Sequence, residues 1–150
     1  GVTKFVDTAY DIGAVPYNGS APVLAVAISR GTIWPGASGY TVTSTVSNAG
    51  TGSTDGTTVT AILTLPSGFT ATALSGTGWS CTLGTLTCTR SDVLAAPASY
   101  LVITVTTTLA RTTATGAASV TGLASGGGNV GTATGSSNET VIGFLGFPAH

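Results

Sequence analysis

The chain has 150 residues, a net charge of −1 and only 6% charged side chains against 42% hydrophobic ones. That length suits one domain with a sizeable core, while typical domains carry about a quarter charged residues. The balance excludes nucleic acid as a partner, because the cations Lys4, Arg30, Arg90 and Arg111 are scattered and phosphate binding needs them clustered. No apolar run reaches the roughly 18–20 residues of a membrane-spanning helix, so no membrane span is expected.

Threonine, roughly a fifth of the chain, takes the place of charge, together with Ser, Gly and Ala. It is β-branched and suits a pleated, half-wetted surface. A protein covered in hydroxyls dissolves by hydrogen bonding and has little electrostatic resistance to self-association.

Residues 1–21 carry Phe5, Val6, Tyr10, Ile12, Val15 and Tyr17 without clear strand alternation, which predicts an extended N-terminal segment. Period-two alternation then recurs along the chain, and no stretch holds a helical period for three turns. Strands are predicted over Val23–Ile28 and over Tyr40–Val46, where Tyr40, Val42 and Val46 face one way and Thr41, Thr43 and Thr45 the other. Thr58–Leu65 follows, with Val59, Ala61, Leu63 and Leu65 on the apolar face, then Thr70–Leu74. Further on, Tyr100–Leu109 points Leu101, Ile103, Val105 and Leu109 inward, and Ser119–Leu123 and Thr140–Ile142 are shorter. Turn signals separate them: a long polar connection from Asn48 to Gly56, a tight one at Pro66-Ser-Gly68, and a flexible one at Ser125–Asn129.

Between these lies Cys81-Thr-Leu-Gly-Thr-Leu-Thr-Cys88. Folded about Gly84-Thr85, a type II′ signal, the octapeptide opposes Thr82 to Thr87 and Cys81 to Cys88 across Trp79–Leu83 and Leu86–Arg90. Opposed residues lie about 4.5–5.5 Å apart at Cα, inside the range a disulfide takes. A cross-linked hairpin belongs to an oxidising compartment. With no initiator Met and no leader at its start, the chain reads as mature and secreted, extracellular or on a cell surface.

Short strands with frequent turns, unequal lengths and varied connections indicate an all-β, two-sheet sandwich. It is assigned to residues 22–142, between the N-terminal segment and an apolar tail, Gly143-Phe-Leu-Gly-Phe-Pro-Ala-His150.

Residues from about 22 to 142 resemble the repeat domain of bacterial and archaeal surface proteins known as domain of unknown function 11. The motifs are Ser38-Gly-Tyr40-Thr-Val-Thr with Val46-Ser-Asn48-Ala-Gly, Leu65-Pro-Ser-Gly68-Phe-Thr, Gly78-Trp79-Ser-Cys81 and Leu86-Thr-Cys88-Thr-Arg90. They continue with Ala95-Ala-Pro-Ala-Ser-Tyr100 and Ser136-Ser-Asn138-Glu-Thr140. The resemblance implies an immunoglobulin-like sandwich in a secreted or wall-associated protein, and no catalytic residues. Members usually stand in tandem, whereas one copy stands here with an apolar extension on each side.

The acidic inventory is Asp7, Asp11, Asp55, Asp92 and Glu139, with His150 the sole imidazole. No pair or triad of these has the spacing that hydrolysis or metal binding requires, so no enzyme, cofactor or metal is expected. Turn chemistry accounts for Asp55 and Asp92. Trp79 is read as core packing. Trp34, in a turn-rich segment, is the candidate ligand contact, and Asn18 and Asn138 head acceptor triplets for N-glycosylation.

The expected function is that of a structural subunit in an extracellular or cell-surface fibre, a head-to-tail homopolymer built by strand addition. Phe5, Val6, Tyr10 and Ile12 from one end, or Phe144, Leu145 and Phe147 from the other, are the candidate subunit contacts. The alternatives are an adhesive module binding surface polysaccharide and a spacer domain of a larger surface protein.

Overall fold

The computed structural model describes residues 20–29, 36, 39–110 and 116–141. Among these run ten strands: β1 (Leu24–Ser29), β2 (Tyr40–Asn48), β3 (Val59–Thr64), β4 (Phe69–Gly76), β5 (Ser80–Thr82), β6 (Thr87–Arg90), β7 (Ala98–Ser99), β8 (Ile103–Leu109), β9 (Gly116–Gly126) and β10 (Asn129–Val141). One antiparallel sheet has the order β10-β9-β3-β6-β5. The other has the order β1-β2-β8-β4, with β7 paired to β2. The architecture is the expected all-β, two-sheet sandwich.

Alternation explains the layering. Val42, Ser44, Val46 and Asn48 of β2 are buried while the threonines between them face out, and Val59, Ala61 and Leu63 of β3 do the same for the facing sheet. Ile103, Val105, Thr107 and Leu109 complete the inner face of β8. Each buried aliphatic side chain contributes roughly 1.5–3 kcal/mol relative to exposure.

The two inner faces differ in bulk. The β9–β10 hairpin places Ala124 opposite Ala133 and Gly122 opposite Gly135, while β1 brings Val26 and Ile28 against it. A Cβ on Gly122 would lie 2.8 Å from Ile28 Cδ1 and 2.9 Å from Val26 Cγ1, and one on Gly135 would meet the Val26 carbonyl oxygen itself. Small residues on one sheet thus receive large ones from the other. The Asn129 side chain ties the same seam, its Oδ1 accepting the Leu24 N–H at 2.9 Å.

Four local expectations are corrected. The hairpin turn is not type II′: Leu83–Thr85 form a short 3-10 turn closed by Leu86 N–H donating to the Leu83 carbonyl at 3.2 Å, and Leu86, not Gly84, takes positive φ, 51°. Tyr100–Leu109 is not one strand. Ser99 pairs with Ser47 but Ile103 with Ser44, so the register advances by one residue between β7 and β8. That slip turns Leu101 and Val102 to solvent although Leu101 was expected inside. Of the short strand predicted over Thr140–Ile142, the first two residues are the end of the thirteen-residue β10, and Ile142 lies outside the described residues. The glycine run before β10 is a tight turn, with Gly126, Gly127 and Gly128 at positive φ and the Asp55 N–H donating to the Gly127 carbonyl at 3.1 Å.

The cysteine register is as read: Cys81 opposes Cys88, the two are disulfide-bonded, and their Cα atoms are 4.0 Å apart, closer than the opposed-pair spacing. Loop closure over about eight residues is worth roughly 2.5 kcal/mol. The Cys81→Ser/Cys88→Ser double variant is therefore expected to keep its β spectrum and lose about that much stability in urea titrations. An unchanged midpoint would show that the cross-link does not constrain the unfolded chain.

The strands run between two poles. Ser20–Val23 enter at one pole: Thr51 and Gly52 N–H groups donate to the Ala21 carbonyl, and the Ala49 N–H donates to that of Val23. The Asn48–Thr58 connection, the 91–97 loop and the β9–β10 turn share this pole. Val141 lies at the other, buried with Phe69 and Leu109. Along the thirteen residues of β10, at about 3.3 Å each, the poles are about 40 Å apart.

Candidate functional site

Arg90, Asp92 and Asp55 lie near the entry pole and are used in structure, whereas Glu139 stands on β10 near the exit pole. Arg90, at the end of β6, donates from Nε and Nη2 to the two carboxylate oxygens of Asp92 at 2.6 and 2.7 Å. Its guanidinium carbon lies 4.1 Å from the Tyr100 ring centre and 5.1 Å from that of Trp79, and those rings meet edge-on at 5.4 Å. Arg90 Nη1 is buried and reaches no acceptor, so the aromatic faces offset its desolvation. The Tyr100 hydroxyl donates to the Asp92 carbonyl at 2.7 Å, and Trp79 Nε1 donates to that of Leu101 at 2.8 Å. Trp79 is core, as expected, and Arg90, Asp92 and Tyr100 clasp the 91–97 loop to the sheet.

The Arg90 hydrogen bonds hold the Asp92 carboxyl below its usual range against a small opposing effect of burial. At Asp55 the side chain and backbone of Thr57 do the same. A depressed folded pKa means the unfolded chain binds more protons, so this stabilisation is complete above the ordinary carboxylate value and is lost as pH falls through the folded one. The melting temperature is accordingly expected to fall on acidification below about pH 4. An Asp92→Asn variant should fall less steeply; an identical slope would exclude the Arg90 pair as a source.

Among the described residues no group of three or more His, Cys, Asp or Glu comes together, and no helix is long and apolar enough to cross a membrane. Asp55 and Asp92 both sit in turns.

What the described surface offers is two broad hydroxyl-rich faces. On the β10-β9-β3-β6-β5 sheet, strand register aligns Thr132, Ser125, Thr60, Thr89 and Ser80 in one row, and Thr134, Leu123, Ile62, Thr87 and Thr82 in the next. On the other sheet Ser29, Thr43, Thr104 and Ser75 form a row across all four strands, with Thr41, Thr106 and Ala73 beside it. No charged side chain stands in these rows.

Large apolar side chains are exposed in two places besides the hairpin turn and Ile62: Leu101 and Val102 between β7 and β8, and Val130 (95% exposed), Val93 and Val23 at the entry pole. Val130 borders an open depression of about 540 Å³ with Ser20, Ala21, Pro22, Asp55 and Gly128. A Cβ on Gly128 would lie 3.1 Å from Asp55 Oδ2 and 3.5 Å from Pro22 Cγ, and one on Gly56 would lie 3.6 Å from Val93 Cγ2, so Pro22 and Val93 flank the Asp55 turn on either side. The sequence reading missed this depression. Its one signal is Val130, the lone large apolar residue between the glycine turn and Val141.

Asn138 is exposed on the outer face of edge strand β10, opposite Ser119. Phe5, Val6, Tyr10, Ile12, Asn18, Trp34, Phe144, Leu145 and Phe147 lie outside the described residues.

No protein-family model matches the chain, and no curated protein sequence matches it. Among solved structures, the seventh ScaB type I cohesin from Pseudobacteroides cellulosolvens is similar with a TM-score of 0.56 at 12% identity, over 85% of this chain and 97% of that one. BslA, described as a bacterial hydrophobin, is similar with a TM-score of 0.50 at 16% identity, over 83% of this chain and all 100% of its own. At such identities the likeness establishes the β-sandwich fold alone.

Proposed function

We propose that this protein is a secreted, non-catalytic structural subunit of an extracellular or cell-surface fibre, joined head to tail by strand addition. The observation that carries the reading is the placement of the sandwich's two chain ends at opposite poles, about 40 Å apart along β10. Chain termini of compact domains often lie close together; opposite poles suit a unit joined in line. The uncharged hydroxyl faces are consistent with it, since they would let adjacent rows of subunits pack side by side without repulsion. So is the disulfide, which belongs outside the reducing cytosol. Edge strands on both sheets offer main-chain groups to a donated segment; of residues 1–21, Ala21 is bonded within its own subunit, which leaves residues 1–19 to be donated in the leading form.

The same pole placement favours a second reading, a spacer bead in a longer surface protein. Electron microscopy of the full-length chain over a concentration series separates the two. The fibre reading predicts filaments with an axial repeat near 40 Å, and deletion of residues 1–19 is expected to abolish them if that segment is the donor. A chain that stays monomeric at millimolar concentration leaves the spacer.

A further inference from the structure

Resting on the head-to-tail reading above, we infer that Val130, Pro22 and Val93 form a receptor for the apolar segment Gly143–His150 of the next subunit. Both sides match in chemistry. The segment carries Phe144, Leu145 and Phe147 and no Asp, Glu, Lys or Arg. The depression bordered by Val130, Ala21 and Pro22 contains Asp55 as its one acidic residue; its Oδ1 is engaged by Thr57, and its Oδ2 lies at the rim beside Gly128.

Reach decides that the contact is between subunits. The chain leaves β10 at Val141, at the exit pole. Phe147 is six residues further on and so extends at most about 22 Å beyond it. Val130 lies eleven residues back along the same strand, about 36 Å away. A subunit's own aromatic residues fall short of its own receptor. In a head-to-tail row the exit pole of one subunit abuts the entry pole of the next, and there the same segment arrives on the depression. Filling it would cover the most exposed valine in the described structure and join subunits in line.

The experiment is a complementation in the full-length chain, read by sedimentation velocity over a concentration series. Val130→Asp spoils the receptor and leaves the tail; Phe144→Asp/Phe147→Asp spoils the tail and leaves the receptor. Val130 is 95% exposed, so its variant is expected to fold, and Val130→Ser provides a second receptor variant without charge near Asp55. Each variant alone should weaken association at least tenfold. An equimolar mixture of the two aspartate variants should associate at least tenfold more tightly than either alone, since the intact segment of one meets the intact receptor of the other. Two results overturn the inference while leaving the fibre reading intact. In one, receptor variants polymerise as the unaltered chain does. In the other, the tail variant polymerises normally, which makes residues 1–19 the occupant. An unaltered chain that is monomeric throughout overturns the fibre reading and this inference with it.

Discussion

Alanine at position 135 is expected to cost about 3 kcal/mol or more of stability, a large share of the total, through one methyl group. Gly135 sits mid-strand in β10, facing the Val26 backbone of β1 across the seam between the two sheets. The methyl carbon would fall onto the Val26 carbonyl oxygen, and the carbon of that carbonyl would be 2.8 Å away. A flexible side chain would swing aside, but here the obstacle is main chain. Moving β1 also strains the Asn129 and Asn48 bonds that hold its start. At Gly122 the obstacles are the ends of Val26 and Ile28, so Gly122→Ala should cost less, about 1–3 kcal/mol. Gly84 has nothing within 4 Å of its added Cβ and no positive φ, and Gly84→Ala should be neutral or slightly stabilising. Urea unfolding of the three variants checks the order. Equal effects at positions 135 and 84 would mean that the sheets do not approach as described.

Removing the Asn48 amide is expected to cost about 3 kcal/mol. This side chain, 1% exposed at the end of β2, uses both halves. Oδ1 accepts the N–H groups of Val23 and Gly50 at 3.1 and 3.0 Å. Nδ2 donates to the carbonyls of Gly52 and Leu94 at 2.7 and 3.1 Å. One amide therefore binds the start of β1, the polar connection after β2 and the 91–97 loop together. Asn48→Ala strands four main-chain groups, of which the buried ones forfeit about 1–3 kcal/mol apiece. Asn48→Asp separates hydrogen bonding from size. The carboxylate keeps both acceptor bonds but points negative charge at two carbonyls, so its folded pKa rises above the ordinary value. A raised acid pKa makes folding take up a proton; the variant should regain stability as pH falls through that value, opposite in sign to the unaltered chain. Urea midpoints at pH 7 and pH 5 provide the check. An Asn48→Asp variant as stable as the parent at pH 7 would refute the donor role of Nδ2.

Alternation in Tyr40–Val46 and Thr58–Leu65 revealed two core strands because valine and leucine contrast with threonine at most steps, Ser44 and Ile62 being the exceptions. The Cys81–Cys88 register was legible for a related reason, since an octapeptide leaves few ways to oppose its ends. β10 was not legible as a whole. Its inward positions, Ala133, Gly135 and Ser137, are nearly as small and polar as its outward ones, Thr132, Thr134 and Ser136, so period two has no apolar contrast to display. The one-residue slip before Ile103 was hidden too, because Tyr100–Leu109 reads as unbroken β sequence. Its consequence, Leu101 and Val102 facing solvent, appears only once Ser99 and Ile103 are seen to pair in different registers with β2. In the hairpin turn glycine drew attention to itself, while Leu86 took the left-handed backbone.

The amino-acid order by itself determined the class of fold, the faces of the strongly alternating strands, the cross-linked hairpin and the scarcity of ionisable chemistry. Each of these is written within a few neighbouring residues, through side-chain period and the pairing of nearby positions. Tertiary structure alone decided the poles, the aligned hydroxyl rows, the Gly135–Val26 contact and the valines grouped around the entry point. These depend on partners as distant as Leu24 and Asn129, 105 positions apart in the chain. Such partners meet only when two twisted sheets close on a shared core, and no local pattern along the chain encodes that meeting.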